Sequence, residues 1–214
     1  MEDLEYNTKN PFLKVLSIDF DYIMAPCIKL YNDLCEGKEN SNVVWKHIEA
    51  ERNIEPFLNY DAVSLIKIAR IIKSNAINGA KIVPIKEHQE IVELLCHTNK
   101  GVNLVNIDFH HDIMYHTDMI AELTDMHNYN CENWVYYLHN IGKLKSYTWI
   151  KAPQSDLLSP SIKFDFNMLG KQGLDTVDND FDMVVFCLSP QWVPYKFHHL
   201  YDLILELCKE TAIK

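Results

Sequence analysis

Short apolar runs that end in acidic residues alternate along this chain with longer stretches of helical spacing. Phe12 to Ile18 (F-L-K-V-L-S-I) and Val102 to Ile107 have the length and β-branched content of buried strands. Lys81 to Ile85, Ser146 to Ile150, Ser161 to Phe166 and Asp182 to Leu188 read as further strands. Pro84 confines the first of these to a sheet edge or a strand end. Between them lie helical patterns. Ile28 to Leu34 is one, with Gly37 as its stop, and Ile91 to Cys96 is another. The clearest is Asp61 to Ser74, where Asp61 is a candidate N-cap and Val63, Ile66, Ile68, Ile71 and Ile72 form a broad apolar face. Glu132 to Leu138 re-enters the core, and Tyr195 to Cys208 is a closing helix carrying Leu200, Leu203, Ile204 and Leu207.

Strands alternating with helices predict an α/β fold with a mainly parallel sheet, in a single domain spanning residues 1–214. Three stretches carry no clear period. Glu36 to Asn59, with Trp45 and His47, reads as a substrate-facing insertion. The His-, Met- and Asn-rich stretch from Asp112 to Cys131 reads as an active-site loop, and Gly170 to Asp180 as a polar loop.

Composition narrows the function classes. A formal charge of −10, from 30 acidic against 20 basic residues, disfavours a nucleic-acid binder and suits a metal or a cationic substrate. Six glycines are too few for a barrel built on tight turns. The six cysteines are scattered without C-x-x-C spacing, as expected for reduced thiols in the cytoplasm. Met1 to Asn10 is polar and acidic, unlike a secretion leader, and no apolar run reaches the roughly 18 residues of a membrane span.

The chemistry concentrates at two strand ends. Asp108, His110 and Asp112 follow the Val102 strand two residues apart, and Asp19 and Asp21 follow the Phe12 strand at the same interval. On an extended backbone such residues project to one side. Carboxylates so close need a cation or protons to neutralise them, and mixed oxygen and imidazole ligands suit Mn²⁺, Zn²⁺, Fe²⁺ or Co²⁺. His88, three residues beyond the Lys81 strand, can reach the same edge, where parallel sheets bind ligands. Four carboxylates and two imidazoles exceed one tetrahedral zinc site and suit two metals. Other candidates are weaker. His111, His116, His127 and His139 are expected to be hydrogen-bonded or exposed, and His198 and His199 exposed. Trp134, Tyr136 and Tyr137 are expected in the core. Ser189, before Pro190, lacks the glycines of a nucleophile elbow, and no P-loop or dinucleotide fingerprint is present.

With these motifs in hand, the chain resembles the ureohydrolase superfamily of arginases and agmatinases. Leu16 to Pro26 (L-S-I-D-F-D-Y-I-M-A-P) is similar to its L-S-x-D-x-D segment, and Asn106 to Asp112 (N-I-D-F-H-H-D) to its D-x-H-x-D segment. K-E-H-Q-E around His88 and E-N-W from Glu132 are closer to a small atypical branch that includes peptide arginases. Here the D-x-D precedes the D-x-H-x-D, as if the strand order were permuted. The resemblance therefore implies a three-layer α/β/α fold, arginase-like with permuted strand order. It implies two Mn²⁺, one held by His88, Asp108, Asp112 and Asp19, the other by Asp108, His110, Asp19 and Asp21. These would activate a shared water. Asp112 would relay a proton and Glu132, near the family's acid/base position, would be the second acid/base. Asn133 and Ser189, polar residues flanking these positions, are candidate substrate contacts. The implied reaction converts arginine within a precursor peptide to ornithine and urea. Alternatives are another binuclear C–N hydrolase such as a deacylase, or a non-catalytic metal-stabilised peptide-binding protein. A phosphatase of the haloacid dehalogenase type also opens on D-x-D, but the expected downstream Thr and Lys motifs are not apparent.

Overall fold

The inner strands are apolar on both faces, a pattern that only cover from both sides can satisfy. In the computed structural model, which describes residues 11–24, 41–52, 59–114, 129–155 and 164–209, that cover is present. The strands are β1 (Phe12–Asp19), β2 (Lys81–Ile85), β3 (Gly101–Asp108), β4 (Leu144–Lys151), β5 (Asn167–Leu169) and β6 (Met183–Cys187). The helices among the described residues are α1 (Ser41–Arg52), α2 (Ala62–Ile77), α3 (Glu90–Cys96), α4 (Trp134–Asn140) and α5 (His198–Lys209). All pairings are parallel, and the six strands lie in the order β2-β6-β1-β3-β4-β5. The expected α/β class with a parallel sheet holds.

Alternation along β1 divides the core in two. Leu13 and Val15 join Val102, Leu104, Met183 and Val185 beneath α3 and α4, where Ile91, Leu95, Trp134 and Leu138 close the layer. Leu16 and Ile18 join Ile107, Val184 and Phe186 on the other face, covered by Trp45 of α1, Ile68 and Ile72 of α2, and Tyr201 and Ile204 of α5. The result is helix, sheet, helix. From β1 the chain runs on to β2 at one edge of the sheet, whereas from β3 it runs on to β4 on the opposite side. The strand order therefore reverses between the neighbours β1 and β3, and in such sheets that reversal opens a crevice at the carboxyl ends. Both acidic clusters stand there.

Several expectations shift in detail. α2 begins at Ala62 with Asp61 as its N-cap, accepting from the backbone N–H groups of Val63 and Ser64 at 3.0 and 3.1 Å. It runs past Ser74 to Ile77 and stops where Gly79 adopts φ +93°. Its buried stripe is Ser64, Ile68, Ile72 and Asn75, while Val63 and Ile66 are 58% and 52% exposed. Asn75 decides that rotation, because its Nδ2 donates to Ile71 O and Asp178 O while its Oδ1 accepts from Phe181 N. α5 is likewise turned: Tyr201, Ile204 and Cys208 are buried and Leu203 and Leu207 are exposed. The Tyr201 ring decides this by stacking on Phe186 at 4.4 Å between centroids. Pro84 sits in an edge strand, as its missing donor requires. β5 starts at Asn167; of the expected strand 161–166, residues 164–166 are not in a strand and residues 161–163 lie outside the described residues. The expected polar loop contains a 3-10 turn, Lys171–Thr176, that buries Leu174. Within 36–59 the structure has α1, an element the chain's period did not reveal. The expected helix 28–34, Cys27, Cys35, His116, His127 and most of the expected loop after Asp112 lie outside the described residues.

Asp61 also pairs with Lys171, and its backbone N–H donates to Ile23 O at 2.9 Å. Asp61→Ala should lower stability by about 1–2 kcal/mol through the lost cap. Asp61→Asn should recover most of this in urea unfolding, because the amide oxygen can still accept. Equal losses in both variants would place the effect in the Lys171 pair instead.

Candidate metal centre

The last residues of β1 and β3 are built alike. Ile18 pairs with Ile107, so Asp19 and Asp108 stand side by side at the carboxyl ends. Each then accepts from the backbone N–H two residues on: Asp21 N donates to Asp19 Oδ1 at 3.0 Å, and His110 N to Asp108 Oδ1 at 2.8 Å. This is the carboxylate's usual turn-forming bond. The expected extended run of ligands is therefore corrected. Asp19 and Asp108 are strand residues, but Asp21 lies in a 3-10 turn (Phe20–Ile23) and His110 in a bend. Phe20 and Phe109, the middle residues of D-F-D and D-F-H, are buried in the core of α1, α2 and α5 and anchor both turns.

Three further segments complete the cluster. His88 opens the turn between β2 and α3 and reaches across the end of β6, where Cys187 is the residue in register with both Asp19 and Ile85. Its Nδ1 lies 3.2, 3.1 and 3.0 Å from carboxylate oxygens of Asp19, Asp108 and Asp112. Its Nε2 is 2.7 Å from the buried hydroxyl of Ser17. With an N–H donated there, Nδ1 presents its lone pair to the carboxylates. Asp112 turns back into the site at φ +51°; its Oδ2 accepts from Trp134 Nε1 at 2.6 Å and its carbonyl from Val135 N. The Trp134 ring also packs on His88 at 4.7 Å. On the other side His110 Nδ1 is 2.9 Å from Asp21 Oδ2.

Two ligand groups result, Asp19–His88–Asp108 and Asp21–Asp108–His110, sharing Asp108. Ligand atoms about 2.1 Å from one ion are roughly 3.0 Å apart in an octahedral shell and roughly 3.4 Å apart in a tetrahedral one. The distances from His88 Nδ1 to its three carboxylates and from His110 Nδ1 to Asp21 match that spacing, whereas His110 Nδ1 stands 3.8 Å from Asp108 Oδ1. A single N–H on His88 cannot serve three carboxylates, and the buried Asp21 Oδ2 has His110 Nδ1 as its close polar neighbour. The donors thus fit divalent cations.

Electrostatics make the same demand. Burial, then repulsion from Asp112 and Asp19, pushes Asp108 up to about 7. Burial, then Asp19 and Asp108, pushes Asp21 well above its ordinary value. Burial alone would lower both histidines, but Asp108, Asp112 and Asp19 raise His88 well above its usual value, and Asp21, Asp108 and Asp112 raise His110 to about 10. Asp19 is held low, since the contacts of His88 and Ser189 outweigh its burial.

Support residues absent from the sequence reading lie one strand layer below. Asn106 Nδ2 donates to Asp108 Oδ2 at 3.0 Å and to Tyr147 OH at 3.2 Å, and Trp149 Nε1 donates to Asp108 O. Ser17 and Asn106 were legible as polar residues on an inward strand face, each two before an aspartate. Ser189 is buried at φ +48° and donates to Asp19 Oδ2 at 2.5 Å. Asn133 is buried and its Oδ1 accepts from Asn130 N. Glu132 lies half-buried in the turn before α4. His111 is buried, accepting from Ile113 N and pushed down to about 4 by burial. His139 and His199 are exposed as expected, but His198 is half-buried against Val193 O.

Comparison with known family models, curated proteins and solved structures gives no match.

Protons and metal compete for the same atoms here. A pKa raised on folding contributes stability that is present at low pH and lost as pH rises, for Asp108 up to about 7 and for His110 from 6.5 to about 10. Metal-stripped protein should therefore melt at progressively lower temperature between about pH 6.5 and about pH 9, and Mn²⁺ should raise the melting temperature more at the alkaline end. Calorimetry across pH, with and without Mn²⁺, checks this; a metal-induced shift independent of pH would contradict it.

Proposed function

We propose that this protein is a metal-dependent amidinohydrolase that converts arginine side chains of a peptide to ornithine with release of urea. The observation that carries the reading is the convergence of D-x-D, His88 and D-x-H-x-D, from three strands, on one buried cluster with two ligand groups sharing Asp108. The four carboxylates, Asp19, Asp21, Asp108 and Asp112, balance the charge of two divalent cations, taken as Mn²⁺ from the ligand types. Bound there, such ions would supply an activated water and neutralise the carboxylates.

The chain's own residues then do the following. Ser17 holds the tautomer of His88, while Asn106 and Trp149 hold Asp108. Asp112, fixed by Trp134, accepts the proton given up by the attacking water. The water oxygen joins the guanidinium carbon and the bond from that carbon to the side-chain nitrogen breaks. The nitrogen leaves as the ornithine amine with a proton from Glu132, and urea carries the remaining atoms. Ser189 serves the site by bonding Asp19, and Asn133 by shaping the turn before α4. The net acidity draws a cationic side chain. The reading places the protein in the cytoplasm, where thiols such as Cys96 and Cys187 stay reduced. No described helix is long and apolar enough to cross a membrane.

Metal-stripped protein reloaded with Mn²⁺ should release urea from an arginine-containing peptide, leaving it lighter by one cyanamide unit per event, and act poorly on free arginine. Asp108→Asn should abolish both metal binding and turnover. Glu132→Gln should keep the metal and lose roughly 10²–10⁴-fold in kcat. Bound metal without urea from either substrate would move the reaction to deacylation.

A further inference from the structure

The turn after β6 spans the cluster from above. Ser189 O accepts from Trp192 N and Val193 N, Ser189 N donates to Lys86 O, and Pro190 O accepts from Trp45 Nε1 of α1 at 3.1 Å. The turn is thus fastened at both ends and by a separate helix. From it, three successive contacts descend on the site. Ser189 bonds Asp19, Gln191 Nε2 donates to Glu87 Oε2 at 3.4 Å, and the Trp192 ring sits 4.9 Å from that of His110 at 50°.

Glu87 is the unusual member. It is half-buried, next to His88 in the chain, and the charge of Asp19 reaches it. Among the described residues it makes no ion pair with a lysine or arginine, and its side-chain partner is the neutral amide of Gln191. Lys86, its neighbour in the chain, acts on this carboxylate through space and not through a direct ion pair. Trp192, also half-buried, offers an indole on the same turn. A carboxylate that takes planar N–H donors, with an aromatic face nearby, is the combination that distinguishes a guanidinium from a neutral group of the same shape.

We propose that Glu87 and Trp192, carried on or held by the Ser189–Trp192 turn, bind the guanidinium group of the substrate above the ligand cluster. This rests on the arginine reading and specifies which residues recognise the substrate. It gives α1 a function as well, because Trp45 braces the turn at Pro190.

The test uses Mn²⁺-loaded full-length protein and a fluorescein-labelled peptide containing either arginine or citrulline, which has the same shape without the charge. Stopped-flow anisotropy reads binding before turnover. The unaltered protein should prefer the arginine peptide by roughly tenfold or more, the scale of a charged hydrogen bond. Glu87→Gln should erase the preference at unchanged manganese content. Trp192→Ala should weaken it, and Trp192→Phe, which keeps a ring, should retain it, separating recognition from a folding defect. An undiminished preference in Glu87→Gln overturns the proposal even if urea is released. A preference that Glu87→Gln erases, in a protein that releases no urea, supports the recognition site while the hydrolysis reading falls.

Discussion

Four carboxylates buried within reach of one another are the constraint that the rest of this structure answers. Asp19, Asp21, Asp108 and Asp112 are almost wholly removed from water. Like charges at that depth cannot all persist without counter-charge. Protons on the two imidazoles supply part of it in the metal-free protein, and divalent cations would replace those protons on binding. The neighbours share the load: a hydroxyl on His88 and another on Asp19, an amide on Asp108, an indole on Asp112. Each satisfies an atom that would otherwise be buried with nothing to bond.

The sheet makes this possible by geometry. Parallel pairing of β1 with β3 sets Asp19 beside Asp108, and the strand order reverses at that junction, where sheets of this kind open a crevice. Two turns closed by the same aspartate-to-backbone bond then lift Asp21 and His110 over the strand ends, each with a phenylalanine driven into the core behind it. The phenylalanines hold the turns from the apolar side while the ligands hold them from the polar side. Two described non-glycine residues have positive φ, Asp112 and Ser189, and both belong to this cluster. Strained backbone of that kind persists where surrounding contacts over-determine it, and here both residues are held through side chain and backbone together.

Local pattern was enough for much of the architecture. The strands up to Asp19, Asp108 and Cys187, the cap at Asp61 and the edge position of Pro84 follow from alternation, side-chain chemistry and the missing proline N–H. The faces of α2 and α5 did not follow. Both carry more apolar residues than one face needs, so the choice fell to Asn75 in one helix and the Tyr201–Phe186 stack in the other. α1 escaped notice because Trp45 and Ile48, its described buried hydrophobic residues, stand within a polar stretch.

The sequence by itself determined the candidate ligand types, their two-residue spacing and their position at strand ends, since these depend on neighbours along the chain. It also held the signal for Ser17 and Asn106, polar residues on an inward strand face. Only the tertiary structure decided that three separate strand ends meet. Only it showed that His88 reaches over Cys187, and that Trp134, Ser189 and the Trp192 turn close on the site from segments remote in sequence. Those contacts depend on strand order and crossing connections, which the period of a single strand does not encode.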